Sequence, residues 1–170
     1  LPKPELTQAV IHLAERTDIP EVRAAIAAAL LDAGDRIRFE QLLNSSPSGI
    51  EKAVMLAALT DIPEADDLLL KAAGQGPPEG TAATEAWIAG SEILPERRQK
   101  LDSLAKQAFV GIHPAKASLF AIAMRNPVLS SSIRVEDSVL NAALERYDDE
   151  PRYAETAAEI GKTLAFRSGL

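Results

Sequence analysis

The chain contains no cysteine, and its only histidines are His12 and His113. A disulfide framework, thiolate metal sites and cysteine nucleophiles are thereby excluded, as is a histidine-rich metal centre. Aromatic residues make up 4% of the 170 positions, so a core must be assembled from Ala, Leu, Ile and Val. No apolar run approaches the roughly 20 residues that a membrane-spanning helix requires. Gly-x-Ser-x-Gly, a P-loop and a dinucleotide-binding fingerprint are all missing. Serines sit in loop-like contexts, and Ser45-Ser46 and Ser130-Ser131-Ser132 read as caps and turns.

What remains is ordinary globular material: 46% hydrophobic and 25% charged residues, in a length suited to one domain or a stack of small repeats. The formal charge is −7 and is unevenly spread. Residues 1–85 carry 7 basic and 14 acidic side chains, whereas residues 86–170 carry 11 of each. A nucleic-acid binder concentrates Lys and Arg to displace phosphate counterions, and this chain does the reverse. The acidic half suits a protein partner with a basic surface, and it also reads as a solvated surface that aids solubility. The chain begins at Leu1 rather than Met, which fits a piece of a larger polypeptide or complex.

Apolar residues recur at helical spacing throughout, with no strand-like alternation. The spacing predicts helices near 4–16, 20–33, 36–44, 47–57 and 63–73, then near 81–91, 95–110, 114–125, 135–146 and 151–167. Thr17 and Asp18 are positioned to cap the second helix, Pro20 suits its first turn, and Gly34 suits its end. Ile37, Ile50 and Ile122 are expected to point inward. The segment from Gly74 to Gly80 is the least helical and marks a hinge at 75–80, between helical hairpins in 1–74 and a region at 81–170.

One pentapeptide occurs twice. Thr17-Asp18-Ile19-Pro20-Glu21 returns as Thr60-Asp61-Ile62-Pro63-Glu64, 43 residues later. Leu13-Ala14 falls on Leu56-Ala57, Ile26 on Leu69 and Ala29 on Ala72, so the repeated unit is a helical hairpin. A period in the forties is what stacked helical hairpins leave in a sequence. Together with the Ala-rich helix from Ala24 to Leu30, the Asp18-x-Pro20-Glu21-Val22-Arg23 turn resembles the HEAT-like (armadillo-type) helical repeat family, most clearly over residues 5–74. The resemblance implies structural roles for Asp18 and Arg23 as a ladder between units. In the second copy Asp61 matches, but Asp66 stands where Arg23 stands in the first. The fold expected is all-α: a right-handed α-solenoid or irregular stack of about ten helices, with 81–170 as further repeats or a capping region.

Ionisable residues offer little catalytic pattern. His12 has no second histidine near it, and His113-Pro114 reads as a helix start. Asp66 and Asp67 point about 100° apart on a helix and do not converge. Asp148, Asp149 and Glu150 precede a helix whose positive end they favour, and Glu155 and Glu159 share a face read as water-facing. No catalytic residue, cofactor or metal is therefore expected. The function expected is a non-enzymatic scaffold that binds another protein. Partner contacts are placed at Glu21, Arg23, Asp66 and Lys71 on the second helices, at Trp87, for which burial in the core is the other reading, and at Arg97 and Arg98 in the one basic cluster, which Lys100 and Lys106 complete and which also reads as a solvated helix face. Two other classes fit less well. One is a helical-repeat enzyme of the HEAT-like glycosylase type, which needs a basic, aromatic-lined groove. The other is an oligomerising or structural domain of a longer protein.

Overall fold

The computed structural model describes residues 8, 9, 12, 13, 16–46 and 48–169. Among them it contains nine α-helices and no strand. The first five helices are α1 (Pro20–Asp32), α2 (Arg36–Ser45), α3 (Gly49–Ala57), α4 (Asp66–Ala73) and α5 (Glu79–Ser91). They are followed by α6 (Pro95–Val110), α7 (Pro114–Ala123), α8 (Asp137–Asp148) and α9 (Ala154–Arg167). Short 3₁₀ turns at Pro63–Ala65, Ser130–Ser132 and Pro151–Tyr153 complete it. The helix expected at 4–16 lies largely outside the described residues. No described helix is long and apolar enough to cross a membrane. The chain divides into two compact units, residues 1–90 and 91–170, with the division inside α5; the 75–80 segment belongs to the first.

In the first unit α1 packs on α2 and α3, and the turn at Pro63–Ala65 touches α1. The repeated pentapeptide adopts one local geometry twice. Ile19 (φ −92°, ψ 109°) and Ile62 (φ −106°, ψ 104°) are both extended, and a proline starts each following helix. The copies then diverge, because α1 runs unbroken for 13 residues, whereas Pro63 opens a 3₁₀ turn that leads into the shorter α4. Gly34 ends α1 with φ +85°, and Asp35 N–H returns to Leu30 O at 2.8 Å, a left-handed cap that glycine adopts without a Cβ penalty. Neither Thr17 nor Asp18 caps α1: Ile19 holds that position and Thr17 Oγ1 accepts from Ile19 N–H. Asp35 and Ser48 do cap, accepting from Arg38 N and Glu51 N respectively.

The second unit is two hairpins, α6–α7 and α8–α9, with α6 packed on α8 and α7 on α9. The cross-contacts fix direction. Along α6 and its exit, Asp102, Phe109 and His113 meet Arg134, Arg146 and Tyr147 in the same chain order. Along α7, Pro114 and Ala121 meet Thr156 and Thr163, again in the same order. Equivalent helices therefore run parallel. Arg167, which reaches Asp137 and the carbonyls of Ile133 and Val135, turns α9 back along α8. The core pattern repeats with the stack: Ala105 and Phe109 reappear as Ala143 and Tyr147, and Ala117 and Phe120 as Ala157 and Ile160, all buried.

Which side faces inward differs from the periodic reading at three isoleucines. Ile37, Ile50 and Ile122 are 73%, 70% and 51% exposed. The buried faces beside them carry Phe39 and Leu42 on α2, Met55 and Leu56 on α3, and Ala117, Phe120 and Ala121 on α7. On α7 the reason is visible. A threonine hydroxyl reaches a main-chain carbonyl across the helix pair only when the backbones come close, and alanine permits that where isoleucine does not.

Candidate functional site

Helices α2, α3 and α4 surround one recess in the first unit. It encloses about 320 Å³ over Leu43, Leu56, Leu68 and Ala72. Its polar rim is Glu40, Asn44, Lys52, Lys71, Gln75 and Glu79. Arg36 at the start of α2 pairs with Glu40 one turn on and with Asp67 on α4, Nη1 lying 3.1 Å from Asp67 Oδ1. The Arg36 hydrogen bonds hold the Asp67 carboxyl below its usual range. Asp67 is thus a structural tie between helices.

A second recess, about 490 Å³ and more open, lies in the second unit among Arg98, Gln99, Asp102, Ser131, Ser132 and Arg134. Arg98 is fixed by donation from Nε to Ser91 O (2.6 Å) and from Nη2 to Glu92 O (2.7 Å), so its guanidinium closes the C-terminal end of α5. Asp102 accepts from Arg134 N–H at 2.7 Å and pairs with Lys106 at 2.9 Å. Burial pushes the Asp102 carboxyl up most strongly, but Lys106 and the Arg134 N–H together hold it below its usual range.

The expected partner-binding residues fall into different settings. Glu21 and Lys71 are exposed, while Arg23 and Asp66 are half-buried. Arg23 donates from Nη2 to Ser45 Oγ at 3.4 Å, toward α2 rather than outward. Trp87 and Arg97 are 1% and 0% exposed. Neither is on the surface: Trp87 takes its core reading rather than its partner-contact one, and the placement of Arg97 as a partner contact is corrected, because both helices bury the face that carries them. Arg98 is engaged with carbonyls, and Lys106 pairs with Asp102.

Other expectations are refined too. His12 is exposed. His113 starts α7 and uses its backbone N–H, donated to Tyr147 Oη at 2.8 Å, instead of its imidazole. Glu159 does not face water: Arg125 and Lys162 both pair with it, and Lys162 foremost holds its carboxyl below the usual value. The grouping of Gln99, Ser131, Ser132 and Arg134 was not visible in the sequence. Its members lie on α6 and on a loop more than thirty positions later, and only the hairpin stack joins them.

No protein-family model matches the chain, and neither does any curated protein or solved structure.

Proposed function

We propose that this chain is a non-enzymatic protein-binding scaffold built as a helical-repeat solenoid of HEAT-like type. The observation that carries the reading is the parallel stacking of α6 on α8 and of α7 on α9. Hairpins stacked this way bury one another's apolar faces and leave an extended outer surface, where such proteins bind their partners. In the first unit the repeated pentapeptide supports an acidic version of that surface. Asp18 and Glu21 are exposed, and so are their counterparts Asp61 and Glu64. A basic protein surface is the complementary partner.

A photo-crosslinking residue placed at Glu21 or Lys71 tests this reading. The expected result is a cross-link to one protein whose purified form binds the chain, with affinity lowered about tenfold by the Glu21→Lys change and falling with added salt. Binding indifferent to charge reversal at Glu21 and Glu64 contradicts it. A chain that cross-links only to itself and sediments as a closed oligomer assigns it instead to a structural, self-assembling class.

A further inference from the structure

We propose that the recess between α6 and the Ser130–Ser132 turn binds a phosphate-bearing ligand, with Arg98 and Arg134 as its cationic clamp and Gln99, Ser131 and Ser132 as neutral donors.

Two arginines line this recess in a chain whose overall charge is −7. The single carboxylate there, Asp102, is committed to Lys106 and to the Arg134 N–H. Taken together, Arg98, Arg134, Lys106 and Asp102 carry a net positive charge. Arg98 is preorganised, because two backbone carbonyls hold its Nε and Nη2 and leave Nη1 uncommitted among the described residues. The Arg134 backbone is held by Asp102, and its guanidinium, whose charge also helps to hold the Asp102 carboxyl down, makes no hydrogen bond among the described residues. The hydroxyls of Ser131 and Ser132 likewise have no hydrogen-bond partner among the described residues. A preorganised guanidinium, a second one with its N–H donors unspent, and unspent hydroxyl donors are what a tetrahedral oxyanion engages, through charge-assisted hydrogen bonds. The recess is open to solvent, so a group that bears the phosphate has room to extend outward.

The test is an amide-resolved NMR titration of the whole chain at fixed ionic strength, with inorganic phosphate, glycerol 3-phosphate and capped phosphoserine as probes and chloride as control. The expected result is saturable shifts confined to Gln99, Ser131, Ser132 and Arg134 with all three phosphates and not with chloride. The Arg134→Ala variant changes an exposed side chain and should weaken binding at least tenfold while leaving the remaining spectrum in place. Arg98→Lys keeps the charge but loses the fork, and should weaken binding by a smaller factor. Tighter binding of capped phosphoserine supports the site with a phosphorylated protein segment as its source. Tighter binding of glycerol 3-phosphate supports it with a free small phosphate. Shifts that do not saturate, shifts spread over all basic residues, or phosphate binding unchanged by Arg134→Ala would overturn the assignment.

Discussion

Thr163 on α9 donates its hydroxyl to the main-chain carbonyl of Ala121 on α7 at 2.6 Å. Both residues are 0% exposed. Together with Thr156 reaching Pro114 O at 3.1 Å, this bond ties two parallel helices through backbone acceptors.

Replacing Thr163 with Val keeps the shape and removes the donor. The change should cost about 1–2 kcal/mol, as expected when a buried hydrogen bond is lost. Thr163→Ser should recover part of it. Chemical denaturation of the three proteins checks the order wild type, Ser, Val. A Val variant as stable as wild type would mean that the contact contributes nothing.

The alanine face of α7 makes a contrasting pair of substitutions informative. Ala121→Leu forces extra volume into a closed contact and should destabilise by about 1–3 kcal/mol or more. Ile122→Ala, one position along, removes a half-exposed side chain and should cost less than about 1 kcal/mol. Thermal melts of both variants decide whether the helix is rotated as described, since the opposite order of costs would require Ile122 to point inward.

Tyr147 closes the loop between α6 and α7. Its buried hydroxyl accepts from His113 N–H at 2.8 Å and lies 3.3 Å from Gly111 O, to which it donates. Burial, the largest influence, raises its pKa. Tyr147→Phe should leave the His113 amide without its acceptor, cost about 1–2 kcal/mol and speed hydrogen exchange at that amide. Unchanged exchange at His113 would count against this contact.

Glu159 supplies an acid-sensitive contribution. Lys162 and Arg125 hold its folded pKa below the ordinary 4.5. The unfolded chain therefore takes up the proton first as pH falls. The contribution is fully present above about pH 4.5 and is lost as pH drops through the lower, folded value. Glu159→Gln should be less stable than wild type at pH 7, and the difference should shrink below pH 4.5 in parallel denaturation curves. A gap that stays constant with pH would show that the pairing contributes no linkage.

Helix positions were largely legible in the sequence. The prolines at 20, 63, 95, 114 and 151 each open a helix or a 3₁₀ turn, because a residue without an N–H costs nothing there. Gly34 was equally readable as a cap. Which face turned inward was less so, and the cause is the Ala-rich composition. When small residues form the close contacts, large aliphatics such as Ile122 are left on the outside, and ranking by hydrophobicity points the wrong way. The spaced echo of Ala105 and Phe109 in Ala143 and Tyr147 is faint in the sequence because its period differs from the 43 residues of the pentapeptide and its residues are similar rather than identical. Of the recess at Arg98 and Arg134 only Arg98, in the basic cluster, was marked in the sequence, since its halves meet only after the hairpins stack.

The parallel stack is tested most directly by disulfide trapping, which a cysteine-free chain makes unambiguous. Ser118 Oγ and Thr156 Oγ1 lie 2.9 Å apart across α7 and α9. With cysteine at both positions, mild oxidation should give an intramolecular disulfide, seen by mass as loss of the two thiol hydrogens and resistant to alkylation. Cysteines at Ser118 and Thr163, two helical turns out of step, should remain free thiols under the same conditions. Failure of the first pair to close, or closure of both pairs at equal rates, contradicts the arrangement of α7 and α9 on which the protein's proposed binding surface depends.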